Sequence, residues 1–330
     1  MKRTKKLQKV CELGLEAVPP FNFKYTVYKP SHFPTKLEDF DETSETMYRT
    51  LRLSQNKIIG LKMTDLQKVR GKEGLMAEIF SNKALTEEDL QKVQDHISHA
   101  YGLDEDIKPF YKAVANGSSI QGPIKNLRGM RVSCFETLFE ILNISSMLQN
   151  TTVKRSEQMM EKMLSSFGRK VNYDGRQLYV FYTPKDIAQS SEQKLRELKV
   201  GYRAKFLMEI ANHFSANADL EERLKIMSFE EAKDKLMEIK GVGPYSARIA
   251  LFQYLRRPNE INFDSWKRKI FSRCFFGNEN EEVEKVEREA KQRWGNWMGY
   301  AGLYVIEDLF VKNPEMQYWR KKDEIKRNWN

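Results

Sequence analysis

The sequence predicts an α+β fold in which a small β-rich N-terminal domain precedes an all-helical body. Short runs between residues 21 and 80 alternate apolar and polar residues, whereas nearly every segment after Leu85 shows a helical apolar period. The 330 residues are enough for two or three domains with cores of their own. An apolar content of 40% excludes a largely disordered chain.

The β-rich domain is expected over residues 21–115. The run F-N-F-K-Y-T-V from Phe21 alternates with a period of two, which predicts a strand. Two further runs, Tyr48–Leu53 and Lys57–Met63, keep this character, with Gly60 as a bulge or turn. A sheet of this kind buries one face and leaves the other in water, so the domain is expected to be a scaffold.

The helical body is expected over residues 116–313. Basic tails are expected at both ends of the chain, a solvated one at residues 1–20 and another at residues 314–330. Ser228–Glu231 reads S-F-E-E, a capping box that predicts a helix start. The segment Val171–Tyr182 breaks the helical period and is expected to be an irregular or β-like insertion. A buried helical stripe is expected at Phe135, Leu138, Phe139 and Leu142.

The charge and cysteine content restrict the class of protein further. A net charge of +10 and a pI near 9.2 favour a polyanionic partner. The three cysteines are far apart, which argues against a disulfide framework or a zinc site, so no metal and no cofactor are expected. No apolar run approaches the roughly 20 residues that span a bilayer, so no membrane association is expected.

The expected compartment follows from the same features. The N-terminal M-K-R-T-K-K-L-Q-K-V is basic but has no apolar stretch behind it, unlike a secretory signal. The composition fits a reducing compartment, so we expect a cytoplasmic, nucleoid-associated protein in a prokaryote or a nuclear protein in a eukaryote.

The central feature is the hairpin at residues 240–244, K-G-V-G-P, followed by the carboxylate of Asp264, 21 residues after the second glycine. Glycines let backbone amides approach a ligand closely, and Pro244 suits the first position of a helix. The helix N-terminus presents free amides and a positive dipole end to an anion. These features predict a clamp for a phosphate backbone through Lys240, Gly241, Val242 and Gly243.

A glycine-rich turn between two helices without a ligand is the competing interpretation. A G-x-G alone would favour it. The capped helix before the hairpin, the proline and small residues after it, and the carboxylate at this distance favour the phosphate clamp.

The hairpin and four other segments resemble the helix–hairpin–helix (HhH-GPD) DNA glycosylase superfamily. A-Y-G-L-D-E-D-I-K-P-F-Y at Ala100–Tyr111 is similar to a stretch of the bacterial 3-methyladenine branch. L-R-G-M-R from Leu127 is similar to the opening of the glycosylase domain. V-G-Y-R-A-K-F at Val200–Phe206 resembles a segment of 8-oxoguanine glycosylases, and W-M-G-Y-A-G-L-Y from Trp297 resembles the helix that closes the fold. The order of the segments matches the family.

The resemblance implies a catalytic role for Asp264. Such enzymes turn the damaged nucleotide out of the duplex, and cleavage of its glycosidic bond develops positive charge on the sugar. A carboxylate close to the sugar stabilises this charge and orients or deprotonates water. The alternative role for Asp264, the N-cap of a helix over Ser265–Phe275, is compatible with the first because capping would fix the carboxylate.

Tyr245 limits the chemistry that the resemblance implies. Bifunctional members carry a lysine at this hairpin position, whose amine attacks the sugar and leads to strand cleavage. An aromatic residue there, as in the 3-methyladenine branch, can instead stack on an electron-poor base. Cys274 is the only cysteine after Asp264, so no iron–sulfur cluster is expected. We therefore expect a monofunctional hydrolase.

Four positions point towards the 8-oxoguanine branch instead. Asn150 falls where that branch fills the gap left by the flipped base, and Arg155, Tyr202 and Arg203 fall where it wedges the duplex and contacts the orphan base. The simpler interpretations are a helix cap for Asn150, a surface charge for Arg155 and a core tyrosine for Tyr202. Ile249 departs from that branch, which has a small sulfur-containing residue at this place.

These features predict a monofunctional base-excision-repair glycosylase that acts as a monomer on alkylated, 3-methyladenine-type purines in damaged double-stranded DNA. The alternatives are an 8-oxoguanine glycosylase, a non-catalytic helix–hairpin–helix DNA-binding protein, and a glycosylase whose lyase activity depends on an unrecognised amine.

Overall fold

The computed structural model of the protein describes residues 5–32, 35–54, 56–115 and 118–316. The predicted basic tail beyond Met316 lies outside the described residues. The α+β fold class is confirmed. The strands are β1 Lys5–Lys6, β2 Gln8–Glu16, β3 Glu38–Asp41, β4 Thr46–Ser54, β5 Lys57–Asp65, β6 Gly74–Ser81, β7 Arg169–Tyr173 and β8 Arg176–Val180.

The helices account for most of the remaining described chain. They are α1 Phe23–Val27, α2 Leu66–Arg70, α3 Glu87–Tyr101, α4 Lys108–Ala113, α5 Ser118–Asn126, α6 Leu138–Leu148, α7 Val153–Phe167, α8 Pro184–Ala188, α9 Glu192–Glu197, α10 Arg203–Ala216, α11 Leu220–Ile226, α12 Phe229–Met237, α13 Pro244–Ile249, α14 Ser265–Phe276, α15 Val283–Trp294 and α16 Met298–Lys312. A π-helical turn at Ala250–Tyr254 continues α13.

The N-terminal sheet has five antiparallel strands in the order β2-β6-β5-β4-β3. One face packs against α3 through apolar residues such as Ile59, Leu61 and Val93. The other face is covered by the β7–β8 hairpin, which the sequence predicted as a β-like insertion in the helical body. Both faces are therefore buried over part of the sheet, whereas one solvated face was expected.

Gly60 lies in a regular register between Thr50 and Phe80, so the prediction of a bulge or turn there is wrong. A Cβ atom at Gly60 would lie 2.6 Å from the ring of Tyr173 on β7. The glycine is needed because this ring, more than a hundred residues away in sequence, packs directly on the strand backbone.

The prediction of a solvated tail over residues 1–20 is wrong for β2. This edge strand pairs with β6, and Leu13 lies opposite Ala77. Cys11, Leu13 and Leu15 point inward at alternate positions, the period of a strand. The lysines around this run concealed the alternation.

The strand predicted from Phe21 is also wrong, because Phe23–Val27 form the helix α1. The side chain of Asn22 accepts a hydrogen bond from the amide of Tyr25 at 3.1 Å and caps this helix. An asparagine cap outweighs an alternation that covers only a few residues.

The helical body contains two apolar cores. We call the first the hairpin core; it includes Leu142 on α6, Leu207 on α10 and Ala247 on α13. The second, the α16 core, includes Phe271 on α14 and Tyr304 on α16. The chain passes from the first core to the second between the π-helical turn and α14, and this passage contains Asp264. The predicted domain limits at residues 115 and 313 remain a prediction.

Arg131 joins the N-terminal segment to the helical body. Its side chain is fully buried, and its guanidinium donates hydrogen bonds to the carbonyl oxygens of Val18, Gly102, Gly129 and Glu105 at 2.8–3.3 Å. One cation thus satisfies backbone carbonyls from three separate loops. A buried carbonyl without a donor is costly, so the arginine has a structural role.

Replacement of Arg131 by methionine is expected to lower the free energy of unfolding by roughly 3 kcal/mol or more, since several buried carbonyls lose their donors. Urea denaturation followed by circular dichroism measures this. The matched control is Arg128→Met in the same motif, where the exposed arginine only stacks on Tyr111 and the expected loss is about 1 kcal/mol or less. Equal losses in the two variants would contradict the structural role.

Candidate active site at the glycine hairpin

The glycine hairpin connects α12 to α13 and packs against α10. The helix α12 begins with the predicted capping box, since the side chain of Ser228 accepts from the amide of Glu231. Gly241 has a φ of +98°, and a Cβ atom there would lie 2.5 Å from the Cβ of Phe206. Both the backbone conformation and the contact require glycine at this position.

Gly243 has a different environment from Gly241. Its φ is −95°, a conformation open to other residues, and no atom lies within 4 Å of a Cβ built on it. Among the residues described, no acceptor pairs with its amide. The protein itself therefore gives no steric reason for this glycine, which faces open space at the start of α13. A ligand that approaches the backbone closely would provide one.

Lys240 and Val242 differ in their availability to a ligand. Lys240 is exposed, with its Nζ 3.2 Å from a carboxylate oxygen of Glu209. Val242 is buried in the hairpin core, and its amide donates to the carbonyl of Ile239 at 2.9 Å. Val242 thus anchors the hairpin, and its amide is not free for the predicted contact with a phosphate.

Asp264 occupies the N-cap of α14, as the sequence predicted. Its Oδ1 accepts hydrogen bonds from the amides of Trp266 at 3.1 Å and Lys267 at 2.9 Å. Its Oδ2 lies 3.5 Å from the Nζ of Lys267, and 37% of the side chain remains exposed. Capping thus fixes one oxygen, while the other has only the ammonium group of Lys267 near it among the described residues.

Tyr245 lies in the first turn of α13 and is half-buried. Burial, together with the negative charge of Asp264, raises the pKa of Tyr245 to about 12. The phenol is therefore neutral at physiological pH. Its backbone carbonyl accepts a hydrogen bond from the buried side chain of Asn262 at 2.9 Å, which connects α13 to the segment that carries the carboxylate.

The turn between α6 and α7 lies beside the hairpin. Gln149 donates to the hydroxyl of Ser246 on α13 at 2.8 Å. Asn150 follows with a φ of +48° and is exposed. Tyr202, just before α10, is 48% exposed, while the guanidinium of Arg155 donates to the carbonyl of Lys199. The structure therefore places Asn150 next to a residue that contacts α13, Tyr202 against Phe206 beside the hairpin, and Arg155 at the loop before Tyr202.

Arg203 does not present its charge to the solvent, contrary to the prediction of a direct DNA contact. It is 7% exposed and donates to the carbonyls of Ser146, at 3.0 Å, and Gln149. The last carbonyls of a helix lack partners within the helix, and a cation near them is favourable. Arg203 therefore caps the end of α6 and supports the turn that carries Asn150.

Three features of the site were missed in the sequence. Asn262 and Lys267 were not singled out, although both lie within three residues of Asp264. The third is a loop of the N-terminal domain, where the amide of Ser31 donates to Glu307 on α16 at 3.2 Å. Next to it, burial and the positive charge of Lys29 lower the pKa of His32 to about 3, and Lys267 contributes. No local sequence signal reveals this contact.

Within the described ranges, no cluster of three or more histidine, cysteine, aspartate or glutamate side chains could hold a metal ion. The described helices also include none whose length and apolar content would let it cross a membrane.

Comparison with known proteins defines the class to which this fold and site belong. Residues 144–296 match the family model described as HhH-GPD superfamily base excision DNA repair protein. This range includes α7, α10, the hairpin and Asp264. The family similarity therefore extends over the helices that surround the hairpin and the carboxylate.

Individual relatives agree with the family model. A DNA-3-methyladenine glycosylase of Bacillus subtilis (strain 168) is 23% identical over 275 residues, covering 82% of this chain and 90% of its own length. The structure of a 3-methyladenine DNA-glycosylase from Archaeoglobus fulgidus has a TM-score of 0.73 at 20% identity and covers 91% of this chain and 99% of its own. An 8-oxoguanine glycosylase/lyase from Clostridium acetobutylicum has a TM-score of 0.69 at 17% identity, covering 92% and 99%. The two structures show the shared fold.

Residues 144–296 of the chain are therefore similar to the HhH-GPD superfamily of base excision DNA repair proteins. The resemblance inferred from its five segments is thereby confirmed.

Proposed function

We propose that the protein is a monofunctional DNA glycosylase that hydrolyses the N-glycosidic bond of alkylated, 3-methyladenine-type purines in double-stranded DNA. One observation carries the proposal. The carboxylate of Asp264 is held by two backbone amides beside a hairpin helix on which a neutral tyrosine, not an amine, occupies the position next to it.

The hairpin would hold the phosphate backbone while the damaged nucleotide leaves the stack. As the glycosidic bond lengthens, the sugar gains positive charge. The carboxylate of Asp264, held by its capping hydrogen bonds, stabilises that charge and accepts a proton from the attacking water. Water supplies the hydroxyl group at C1′, and the electron pair of the glycosidic bond leaves with the alkylated purine, whose positive charge it neutralises.

Tyr245 supports hydrolysis and an electron-poor base. A phenol with a pKa near 12 retains its proton and does not form a Schiff base. Its ring offers an electron-rich face, which attracts a base that alkylation has made positive. Relatives named for 3-methyladenine are consistent with this substrate.

An 8-oxoguanine glycosylase is the second candidate, and the turn beside the hairpin favours it. Asn150 and Tyr202 are exposed on the side of the hairpin where a duplex would be wedged, and Gln149 connects this turn to α13. These residues would contact the strand opposite the lesion, however, whereas Tyr245 would contact the damaged base itself. We therefore retain alkylated purines as the first proposal.

A non-catalytic DNA-binding role leaves Asp264 without a function beyond capping. Many side chains cap a helix, but a partly exposed carboxylate close to the hairpin helix supports a catalytic role. We further propose that the protein acts as a monomer wherever the host keeps its DNA, in the nucleoid or the nucleus.

The test is base release from duplexes that carry 3-methyladenine, 7-methylguanine, 8-oxoguanine, hypoxanthine or uracil, with borohydride added in parallel. We expect release of the alkylated purines and no covalent adduct. Release of 8-oxoguanine alone would overturn the proposed substrate. A borohydride-trapped adduct would overturn the monofunctional mechanism. The variant Tyr245→Phe is the control, because it removes the hydroxyl group and keeps the aromatic ring.

A further inference from the structure

Lys267 is at an unfavourable position for the stability of α14. It is the third residue of a 12-residue helix whose first turn contains no acidic residue. The N-terminus of a helix carries partial positive charge, so a cation there is repelled. Its Nζ lies 3.5 Å from the Oδ2 of Asp264, too long for a charge-assisted hydrogen bond.

The same cation also works against the proposed reaction. An ammonium group beside Asp264 partly neutralises the carboxylate that should face a positive sugar. Among the described residues, the Nζ of Lys267 has no hydrogen-bond acceptor and no ion pair other than Asp264. Both the helix and the reaction would therefore gain if this cation had a different anionic partner.

We propose that Lys267 leaves Asp264 when DNA binds and contacts a phosphate that flanks the extrahelical nucleotide. The inference rests on the proposed function, since it assumes that Asp264 faces C1′ of that nucleotide. The two flanking phosphates are attached to the same sugar, so a lysine that starts beside the carboxylate is within reach of one of them. The transfer neutralises a phosphate and restores the full charge of Asp264.

Neighbouring cations are engaged elsewhere. The guanidinium of Arg268 donates to the carbonyls of Glu279 and Glu281, at 3.2 and 2.6 Å. The Nζ of Lys29 donates to the carbonyl of Thr26 at 2.9 Å. Lys267 is partly exposed and only loosely paired, so it can change partners without breaking a buried network.

The salt dependence of DNA binding tests this transfer. The probe is a duplex with a tetrahydrofuran abasic-site analogue, which needs no base release. For Lys267→Met, we expect the slope of log Kd against log salt to decrease in magnitude by about 0.9, the loss of one phosphate contact. Lys267→Arg is expected to keep the wild-type slope. The control is Lys269→Met, an exposed lysine on the same helix, which is also expected to keep it.

An unchanged slope for Lys267→Met would overturn the proposal, and so would an equal decrease for Lys269→Met, which would assign the loss to general surface charge. If the lysine remained on Asp264, Lys267→Met would instead release base faster in single-turnover assays at saturating enzyme. Thermal melts of each variant separate misfolding from lost contact, and the rescue by arginine gives a comparison with the same charge. A different result would contradict the proposed function, namely that no duplex of the lesion panel releases a base.

Discussion

Asp264→Asn is expected to slow single-turnover base release by about 10²–10⁴-fold, while the Kd for lesion-containing DNA changes little. Asparagine removes the negative charge that faces the sugar and the group that accepts a proton. It retains the oxygen that accepts from the amides of Trp266 and Lys267, because asparagine is as good an N-cap as aspartate. Release is measured by quenching and alkaline cleavage, and binding by fluorescence anisotropy.

A second variant separates the catalytic role from the capping role. Asp264→Ala loses both the charge and the cap, so α14 should be less stable by about 1 kcal/mol in addition to the loss of release. If the asparagine variant released base at the wild-type rate, Asp264 would be a cap alone, and the non-catalytic alternative would follow.

Replacement of each hairpin glycine by alanine is expected to change a different property of the protein. Gly241→Ala should lower the free energy of unfolding by roughly 1–3 kcal/mol or more, because φ at +98° is strained for alanine and the new methyl group would meet Phe206. Gly243→Ala should leave stability nearly unchanged, since no atom lies within 4 Å of its Cβ. It should nevertheless weaken DNA binding, because the methyl group lies where the phosphate backbone would approach.

Thermal melts and anisotropy on the same duplex measure both effects. Pro244→Ala is a useful control, because it changes an exposed residue at the helix start without placing an atom on either glycine. If Gly243→Ala bound DNA as tightly as the wild type, the hairpin would not be the clamp that we propose, although the fold would stand.

The sequence predicted those parts of the site whose causes lie within a few residues. The caps at Ser228 and Asp264 depend on groups two or three positions apart, and the start of α13 depends on the ring of Pro244 itself. A hydrogen bond over that distance is specified by residue type and spacing, so all three are present as expected.

The same reasoning failed where the partner of a residue lies far away in the chain. Gly60 was interpreted as a bulge because the ring of Tyr173 that requires a glycine there is 113 residues away. Arg203 was interpreted as a DNA contact because the carbonyls it caps belong to another helix. The edge strand β2 was taken as a tail because its partner β6 begins some sixty residues later.

The amino-acid sequence alone shows a glycine hairpin followed by a carboxylate at a fixed spacing, and a tyrosine in place of an amine after the hairpin. These are properties of residue type and local backbone geometry. The contacts between segments that are distant in the chain could be known only from the folded protein. The side chain of Asn262 meets the backbone carbonyl of Tyr245, and the loop at Ser31 lies on α16. The physical reason is that charge and burial depend on distances in space, which the folded helices set.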